Sequence, residues 1–125
     1  MKLFLITFFI LNSALAFSQE AEFSFKNKTA KFPKVKEGDT LVHYFVYTNT
    51  GKAPLKIKSY DVECHCTQLF LPDREIMPGE TDSLKMTFDT NGKYWYQDRV
   101  IIVHSNARKK ETILRLKVYV IPKED

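Results

Sequence analysis

Hydrophobic and polar residues alternate along several short stretches of this chain. Because successive side chains of a strand point to opposite faces of a sheet, each stretch predicts a strand with one face toward a core. In TLVHYFVYTN the inward set is Leu41, His43, Phe45 and Tyr47, and the outward set is Val42, Tyr44 and Val46. Further inward sets are Leu55 and Ile57, continued by Val62 and Cys64 after a break near Ser59; Leu84, Met86 and Phe88; Ile101 and Val103; and Leu114, Leu116, Val118 and Val120.

Turn signals separate these stretches at regular intervals, and no segment keeps a helical period over several turns. Short strands bounded by such turns are typical of a two-sheet sandwich. The pattern therefore predicts an all-β, immunoglobulin-like antiparallel β-sandwich of about seven strands, formed by one domain over residues 22–122. The turn signals are EGD (37–39), NTGKAP (49–54), LPD (71–73), PGE (78–80), DTNG (89–92) and SNARKK (105–110).

The chain opens with MKLFLITFFILNSALAFSQE, in which one lysine precedes an apolar run that is followed by small alanine residues. This arrangement is typical of a secretory signal peptide. We expect the signal peptide to cover residues 1–16, with residue 19 as the latest cleavage position. The apolar run is shorter than the roughly 20 residues of a membrane-spanning helix. The expected mature protein is therefore exported, to the periplasm or beyond, and has no transmembrane segment.

The composition excludes several classes of protein. The net charge is only +4, from 19 lysine and arginine against 15 aspartate and glutamate residues, and the basic residues are spread along the chain. In an exported protein such a mild balance argues against nucleic acid as a partner. Two cysteines are too few for a disulfide scaffold, so the domain has to be held together by its hydrophobic core.

Three stretches together resemble a bacterial family of exported domains. They are KFPKVKEGDTLVHYFVYTNTGKAPLKI, ECHCTQLFLPDREIMPGETDSLKMTFDT and RVIIVHSNARKKETILRLKVYVIP, which cover most of the chain from Lys31 onward. Their order and spacing are similar to the domain of unknown function 1573, which is related in shape to the major sperm protein and Hydin-type domains. The resemblance implies an immunoglobulin-like fold and an exported location, and it brings no established activity.

The chain departs from the family pattern at two places. Where the family usually has Cys-Gly-Cys-Thr, this chain has Cys64, His65, Cys66 and Thr67. A glycine that is common before the penultimate strand is replaced within KYWY, residues 93–96. Since glycine readily adopts positive φ, the first replacement argues against a cysteine turn that requires that backbone conformation.

Cys64 and Cys66 are the candidate chemical site, and three interpretations stay open. In an extended strand their Cα atoms would be about 6.6 Å apart, near the upper limit for a disulfide. A disulfide would therefore need a bend, would be strained, and would be easily reduced, which favours a redox role. The second interpretation is a copper or zinc site, and the third is a structural role as small, partly buried residues.

The metal interpretation depends on further ligands, because zinc usually takes three or four and copper(I) two or three soft ones. In an extended strand His65 would point away from both cysteines, although a thiol beside an imidazolium would have a lowered pKa. His43 is predicted inward and His104 outward, so the two cannot readily meet at one metal. We therefore expect no cofactor, with copper or zinc as the alternative.

No catalytic signature stands out. The chain lacks a GxSxG nucleophile elbow, and its four glycines do not cluster as a phosphate-binding loop. His65 is badly placed to take a proton from Cys64 or Cys66. These features predict a protein that is not an enzyme.

A partner-binding surface is better supported, because several apolar and aromatic residues fall on outward faces. Contiguous exposed apolar residues mark interfaces, and aromatic residues are favoured anchors. Alternation also cannot hide three consecutive aromatic rings on one side of a strand. The sequence therefore predicts contact with an envelope protein, whose identity the pattern does not indicate. The predicted contact residues are Tyr94, Trp95, Tyr96, Val100, Ile102 and Tyr119.

Overall fold

The computed structural model of the protein describes residues 19–124 and consists of two facing β-sheets. No helix occurs between these residues, so the predicted all-β, immunoglobulin-like sandwich is confirmed. The predicted signal peptide, residues 1–16, lies outside the described residues. The strands are β1 (Phe23–Phe25), β2 (Thr29–Lys31), β3 (Val35–Lys36), β4 (Thr40–Asn49), β5 (Ile57–Val62), β6 (Thr67–Phe70), β7 (Thr81–Asp89), β8 (Trp95–Ser105) and β9 (Glu111–Ile121).

The strand order differs in detail from the expected seven antiparallel strands. One sheet has the order β1-β4-β7-β6, and the other has the order β2-β9-β8-β5, with β3 also paired to β9. Both β2 and β3 run parallel to β9, whereas the other strand pairs are antiparallel. The strands β1, β2 and β3 have only two or three residues each, which is too short for an alternating pattern to reveal them.

Most of the predicted inward residues form the core, but His43, Val62 and Cys64 are only half-buried. In β4, Leu41, Phe45 and Tyr47 are buried while Val42 and Tyr44 are exposed, as strand alternation requires. The predicted break in β5 is a register shift between Ile57 and Ser59. Both sheets supply side chains that solvent does not reach, among them Phe45, Tyr47, Leu84, Met86, Phe88, Ile101, Val103, Leu114, Leu116 and Val120. Burial of each such side chain stabilises the fold by about 1.5–3 kcal/mol.

Ile76 is a core residue that the alternation did not indicate, because it lies outside the strands. It is fully buried, and its backbone forms an isolated bridge with Leu55. The two N–H···O distances of this bridge are 2.8 and 2.9 Å. A segment between β6 and β7 therefore closes one end of the sandwich.

Asn49, at the end of β4, joins the loops at that end of the sandwich. Its buried side-chain amide donates hydrogen bonds to the carbonyl oxygens of Ala53 (2.8 Å) and Ile76 (2.9 Å). Its Oδ1 accepts from the N–H groups of Gly51 (3.0 Å) and Glu22 (3.3 Å). All four partners are backbone groups that would otherwise need water, so one polar side chain satisfies a buried set of donors and acceptors.

Tyr47 is a buried residue whose hydroxyl has no hydrogen-bond partner among residues 19–124. Its ring packs against Phe23 and Phe25, with centroid distances of 5.4 and 5.6 Å. The pKa of Tyr47 is raised to about 12, mainly by burial and also by the carboxylate of Asp82, while the guanidinium of Arg74 acts in the opposite direction. The phenol is therefore held neutral in an apolar site.

This site predicts a specific loss of stability at alkaline pH. The folded-state pKa lies above the value of about 10 for an unfolded tyrosine. The stabilisation from the neutral phenol is therefore complete below about pH 10 and declines as the pH rises toward 12. We expect Tyr47→Phe, which also removes an unpaired hydroxyl, to be at least as stable as the native protein at pH 7. Its advantage should grow by about 2 kcal/mol between pH 10 and 12.

Urea unfolding across this pH range measures the effect. Tyr94→Phe is the control, because the Tyr94 ring is exposed and its replacement should give no growing advantage. Parallel pH profiles for the native protein and Tyr47→Phe would contradict the interpretation.

Candidate functional site

The two cysteines lie in a turn that joins β5 of one sheet to β6 of the other. Cys64 and Cys66 form a disulfide, and their Cα atoms are 5.1 Å apart. The N–H of Thr67 donates to the carbonyl oxygen of Cys64 at 3.1 Å, and the N–H of Cys66 lies 3.1 Å from the sulfur of Cys64. The chain is therefore bent here, and the extended geometry assumed for the pair does not apply.

The bend does not depend on the glycine that the family usually has. Within residues 19–124, Trp95 is the only non-glycine residue with positive φ, so His65 makes the turn with an ordinary backbone conformation. Cys64 and Cys66 are half-buried, and Cys66 packs against the core. His65 is exposed. The turn thus holds the two sulfurs together and leaves the imidazole in solvent.

The remaining histidines lie elsewhere. His43 is half-buried between Phe45 and Phe32, with ring centroids 4.7 and 6.1 Å away, and burial lowers its pKa. His104 faces outward, with Nε2 2.6 Å from a carboxylate oxygen of Asp61. Between residues 19 and 124, no group of three or more His, Cys, Asp or Glu side chains could hold a metal ion. Both cysteine sulfurs are in the disulfide, so neither is available as a thiolate ligand.

Three of the predicted contact residues meet at one end of the outer face of the five-stranded sheet. Tyr96 of β8 is paired in register with Tyr119 of β9, and the ring of Trp95 lies edge-on to Tyr119 with centroids 6.0 Å apart. Trp95 and Tyr96 are 58% and 59% exposed, so both rings are open to solvent. We call Trp95, Tyr96 and Tyr119 the aromatic cluster. Tyr94 is exposed in the preceding loop.

The backbone of Trp95 is unusual. Its φ is 68°, in the left-handed region that bulky residues rarely adopt and that costs of order 1–3 kcal/mol. It occupies the segment where the related family commonly has glycine. Its cross-strand partner Val120 is buried, so a regular strand conformation would direct the indole toward the core. The positive φ removes the indole from that alternation and leaves it largely exposed beside Tyr119.

Val100 and Ile102 form a second apolar group farther along the same face. Ile102 is paired in register with Ile113 of β9, and Ile113 is 50% exposed. A cavity of about 180 Å³ lies beside them against the end of β5. Ile113 was not among the predicted contact residues, although its place between buried Thr112 and Leu114 is an alternation signal.

Charged residues separate the two groups. Asp98 lies between Tyr96 and Val100 along β8, and its carboxylate is 3.2 Å from the guanidinium of Arg115. The predicted contact residues therefore form two neighbouring surfaces, an aromatic one and an aliphatic one, rather than one continuous apolar patch.

The fold is an immunoglobulin-like sandwich of the kind found in PapD-like domains. The chain belongs to the family described as Protein of unknown function (DUF1573), which matches residues 23–120. No curated protein matches the chain significantly. Within residues 19–124, the structure has no helix long and apolar enough to cross a membrane.

Solved structures share the architecture at low identity. A protein of unknown function from Porphyromonas gingivalis W83 superposes with a TM-score of 0.70 at 19% identity, covering 86% of this chain and 50% of that one. The chain thus spans half the length of that protein. The ASH/PapD-like domain 7 of human CEP192 gives a TM-score of 0.62 at 12% identity, covering 85% and 88% of the two chains. The Escherichia coli chaperone DraB gives 0.52 at 13% identity, covering 82% and 56%.

The strained backbone at Trp95 predicts an inverted order of stability between two substitutions. Alanine in a strand is normally more stable than glycine by roughly 0.5–1 kcal/mol. At Trp95 we expect the reverse, with Trp95→Gly more stable than Trp95→Ala by about 1 kcal/mol, because only glycine adopts φ of 68° without steric cost.

Urea unfolding of both variants measures the difference. The same pair of substitutions at Tyr96, a neighbour in β8 without positive φ, is the matched control and should keep the ordinary order. Equal stability of the two Trp95 variants, or a more stable alanine variant, would show that the backbone is not strained at this position.

Proposed function

We propose that this protein is an exported, non-enzymatic module that binds another envelope protein through the outer face of its five-stranded sheet. The observation that carries the proposal is the aromatic cluster, which exposes two large rings and holds one of them in a strained backbone conformation. Strain of this kind persists where the surrounding structure requires it, and it concentrates at functional sites. Large aromatic side chains are also the residues most enriched among interface anchors.

The other sheet offers an alternative binding surface. The outer face of the four-stranded sheet also exposes apolar residues, among them Val42, Tyr44 and Phe70. There, the ring of Phe70 lies under the ammonium group of Lys85 at 5.3 Å, and the backbone of β4 is extended without positive φ. This face thus lacks the strain that favours the aromatic cluster, and scattered exposed apolar residues are ordinary.

Site-specific photocrosslinking in cells tests which face binds. A photoreactive p-benzoylphenylalanine is placed at Tyr96 in one variant and at Tyr44, on the opposite sheet, in a matched variant; both rings are more than half exposed. We expect a discrete crosslinked protein from Tyr96 and none from Tyr44. Trp95→Ala in the Tyr96 variant should reduce that product by about tenfold, the effect of losing roughly 1.4 kcal/mol of binding energy.

Equal crosslinking from Tyr44 and Tyr96, or a Tyr96 product that does not depend on Trp95, would contradict a role for the aromatic cluster. Circular dichroism of each purified variant checks that the β-sheet structure is retained.

A second candidate function is thiol–disulfide exchange by Cys64 and Cys66. It is favoured by the position of the disulfide in a turn, half-buried and next to an exposed histidine. A dithiol of a partner would attack one sulfur, form a mixed disulfide, and leave both cysteines as thiols while the partner is oxidised by two electrons. Copper or zinc binding, the remaining alternative, would require this reduced form.

The disulfide closes a ring of only three residues, so its effect on stability should be small. The chain-entropy relation gives about 1.6 kcal/mol for such a loop. We therefore expect Cys64→Ser with Cys66→Ser to lower the free energy of unfolding by less than about 2 kcal/mol and to leave the sheets intact. For the redox function, alkylation of native envelope protein should modify both cysteines only after mild reduction, as read by intact mass. Resistance of the disulfide to millimolar dithiothreitol would exclude the exchange.

A further inference from the structure

A shallow groove of about 370 Å³ lies beside the aromatic cluster on the same sheet face. It crosses from β8 over β9 to the short edge strands, so it spans three neighbouring strands. At roughly 4.8 Å between strands, this distance is about 10 Å, the length of three extended residues. The residues that line it include Lys31, Phe32, Lys34, Tyr96, Lys117 and Tyr119.

Three lysines give the groove an uncompensated positive charge. Lys31 and Lys117 are register partners in adjacent strands, an arrangement in which like charges repel. Among residues 19–124, no carboxylate lies within 4 Å of the ammonium groups of Lys31, Lys34 or Lys117. Asp98, which is opposite Lys117 on β8, is paired with Arg115 instead. The described part of the fold therefore supplies no carboxylate that neutralises these three lysines.

The aromatic cluster forms one wall of this positive site. The ammonium group of Lys34 is 5.4 Å from the ring centroid of Tyr119, a cation–π distance. The indole of Trp95 meets the same tyrosine edge-on. An anion at Lys34 would thus lie next to an exposed apolar ring, and a ligand with a carboxylate and a neighbouring apolar side chain fits both features.

We infer that this groove binds a short acidic segment of a polypeptide, with carboxylates at Lys31, Lys34 and Lys117 and an apolar side chain against Trp95 and Tyr96. The inference rests on the proposed function and names the chemistry of the partner. It requires the parallel pairing of β2 with β9, because that pairing places Lys31 beside Lys117.

The ring geometry favours a polypeptide over an acidic polysaccharide. Trp95 and Tyr119 are inclined by 62°, so they do not form a flat platform on which successive sugar rings could stack. The ammonium group of Lys34 also covers one face of the Tyr119 ring. Separate carboxylates and apolar side chains along an extended peptide match alternating charged and apolar positions better than a uniform sugar chain does.

Fluorescence anisotropy with a defined probe tests the inference on the purified protein. The probe is a fluorescein-labelled hexapeptide that alternates glutamate with phenylalanine, and the matched probe has glutamine in place of each glutamate. We expect the acidic peptide to bind at least tenfold more tightly than the glutamine peptide. We also expect its affinity to fall as salt is raised, because surface charges are screened.

Variants locate the binding. Lys34→Gln and Lys117→Gln should each weaken binding of the acidic peptide by about threefold or more, and the double variant by tenfold or more. Trp95→Gly, which suits the backbone at that position, should also weaken binding by threefold or more while the protein stays folded. Lys52→Gln removes an exposed lysine from the β4–β5 loop, at the opposite end of the sandwich, and should leave the affinity unchanged.

Three outcomes would overturn the inference: equal binding of the acidic and glutamine peptides, equal effects of Lys52→Gln and Lys34→Gln, or tighter binding of oligogalacturonate, an acidic sugar chain, than of the acidic peptide. Crosslinking from Tyr96 distinguishes a failure of this inference from a failure of the proposed function. A Tyr96 product that persists in the Lys34→Gln, Lys117→Gln variant would leave the protein interface in place and remove only its acidic partner chemistry.

Discussion

The fold depends on the burial of one face of each sheet against the other. In the long hairpin of β8 and β9, this constraint fixes the inward residues and leaves the outward residues free to vary. Its inward residues, including Ile101, Val103, Leu114 and Leu116, are fully buried and supply much of the hydrophobic free energy. Its outward residues make no contribution of that size, so they can be chosen for contacts with other molecules. The same two strands thus serve the core on one side and the proposed interface on the other.

In the aromatic cluster, the backbone conformation of Trp95 differs from the one that a tryptophan residue prefers. The left-handed conformation of Trp95 costs free energy, whereas glycine would adopt it readily. The edge-on contact with Tyr119 contributes about 0.5–1.5 kcal/mol beyond the area that it buries, and more than half of the indole stays exposed. Much of the indole surface therefore remains available for a contact outside the domain. We propose that a partner makes this contact, and for that reason the cluster is the basis of the functional proposal.

Long strands and core positions could be predicted from the sequence because alternation over many residues assigns their faces. The pairs of β1, β2 and β3 could not, since two or three residues carry no period. The lysine groove could not be predicted for the same reason, because Lys31 lies beside Lys117 only through the parallel pairing of β2 with β9. The cysteine turn was missed for a different reason. An ordinary backbone at His65 bends the chain, while the positive φ appears at Trp95, and side-chain patterns do not report backbone conformation.

A cysteine-accessibility scan along β8 tests the division between core and outer face most directly. Single cysteines are placed at positions 99 to 104 of a protein carrying Cys64→Ser and Cys66→Ser, and their alkylation rates are measured under native conditions. We expect faster reaction at 100 and 102, where the native side chains are half-buried, than at 101 and 103, where they are buried, with a period of two residues. Uniform rates, or protection at 100 and 102, would contradict the orientation of this strand and the interface assigned to its outer face.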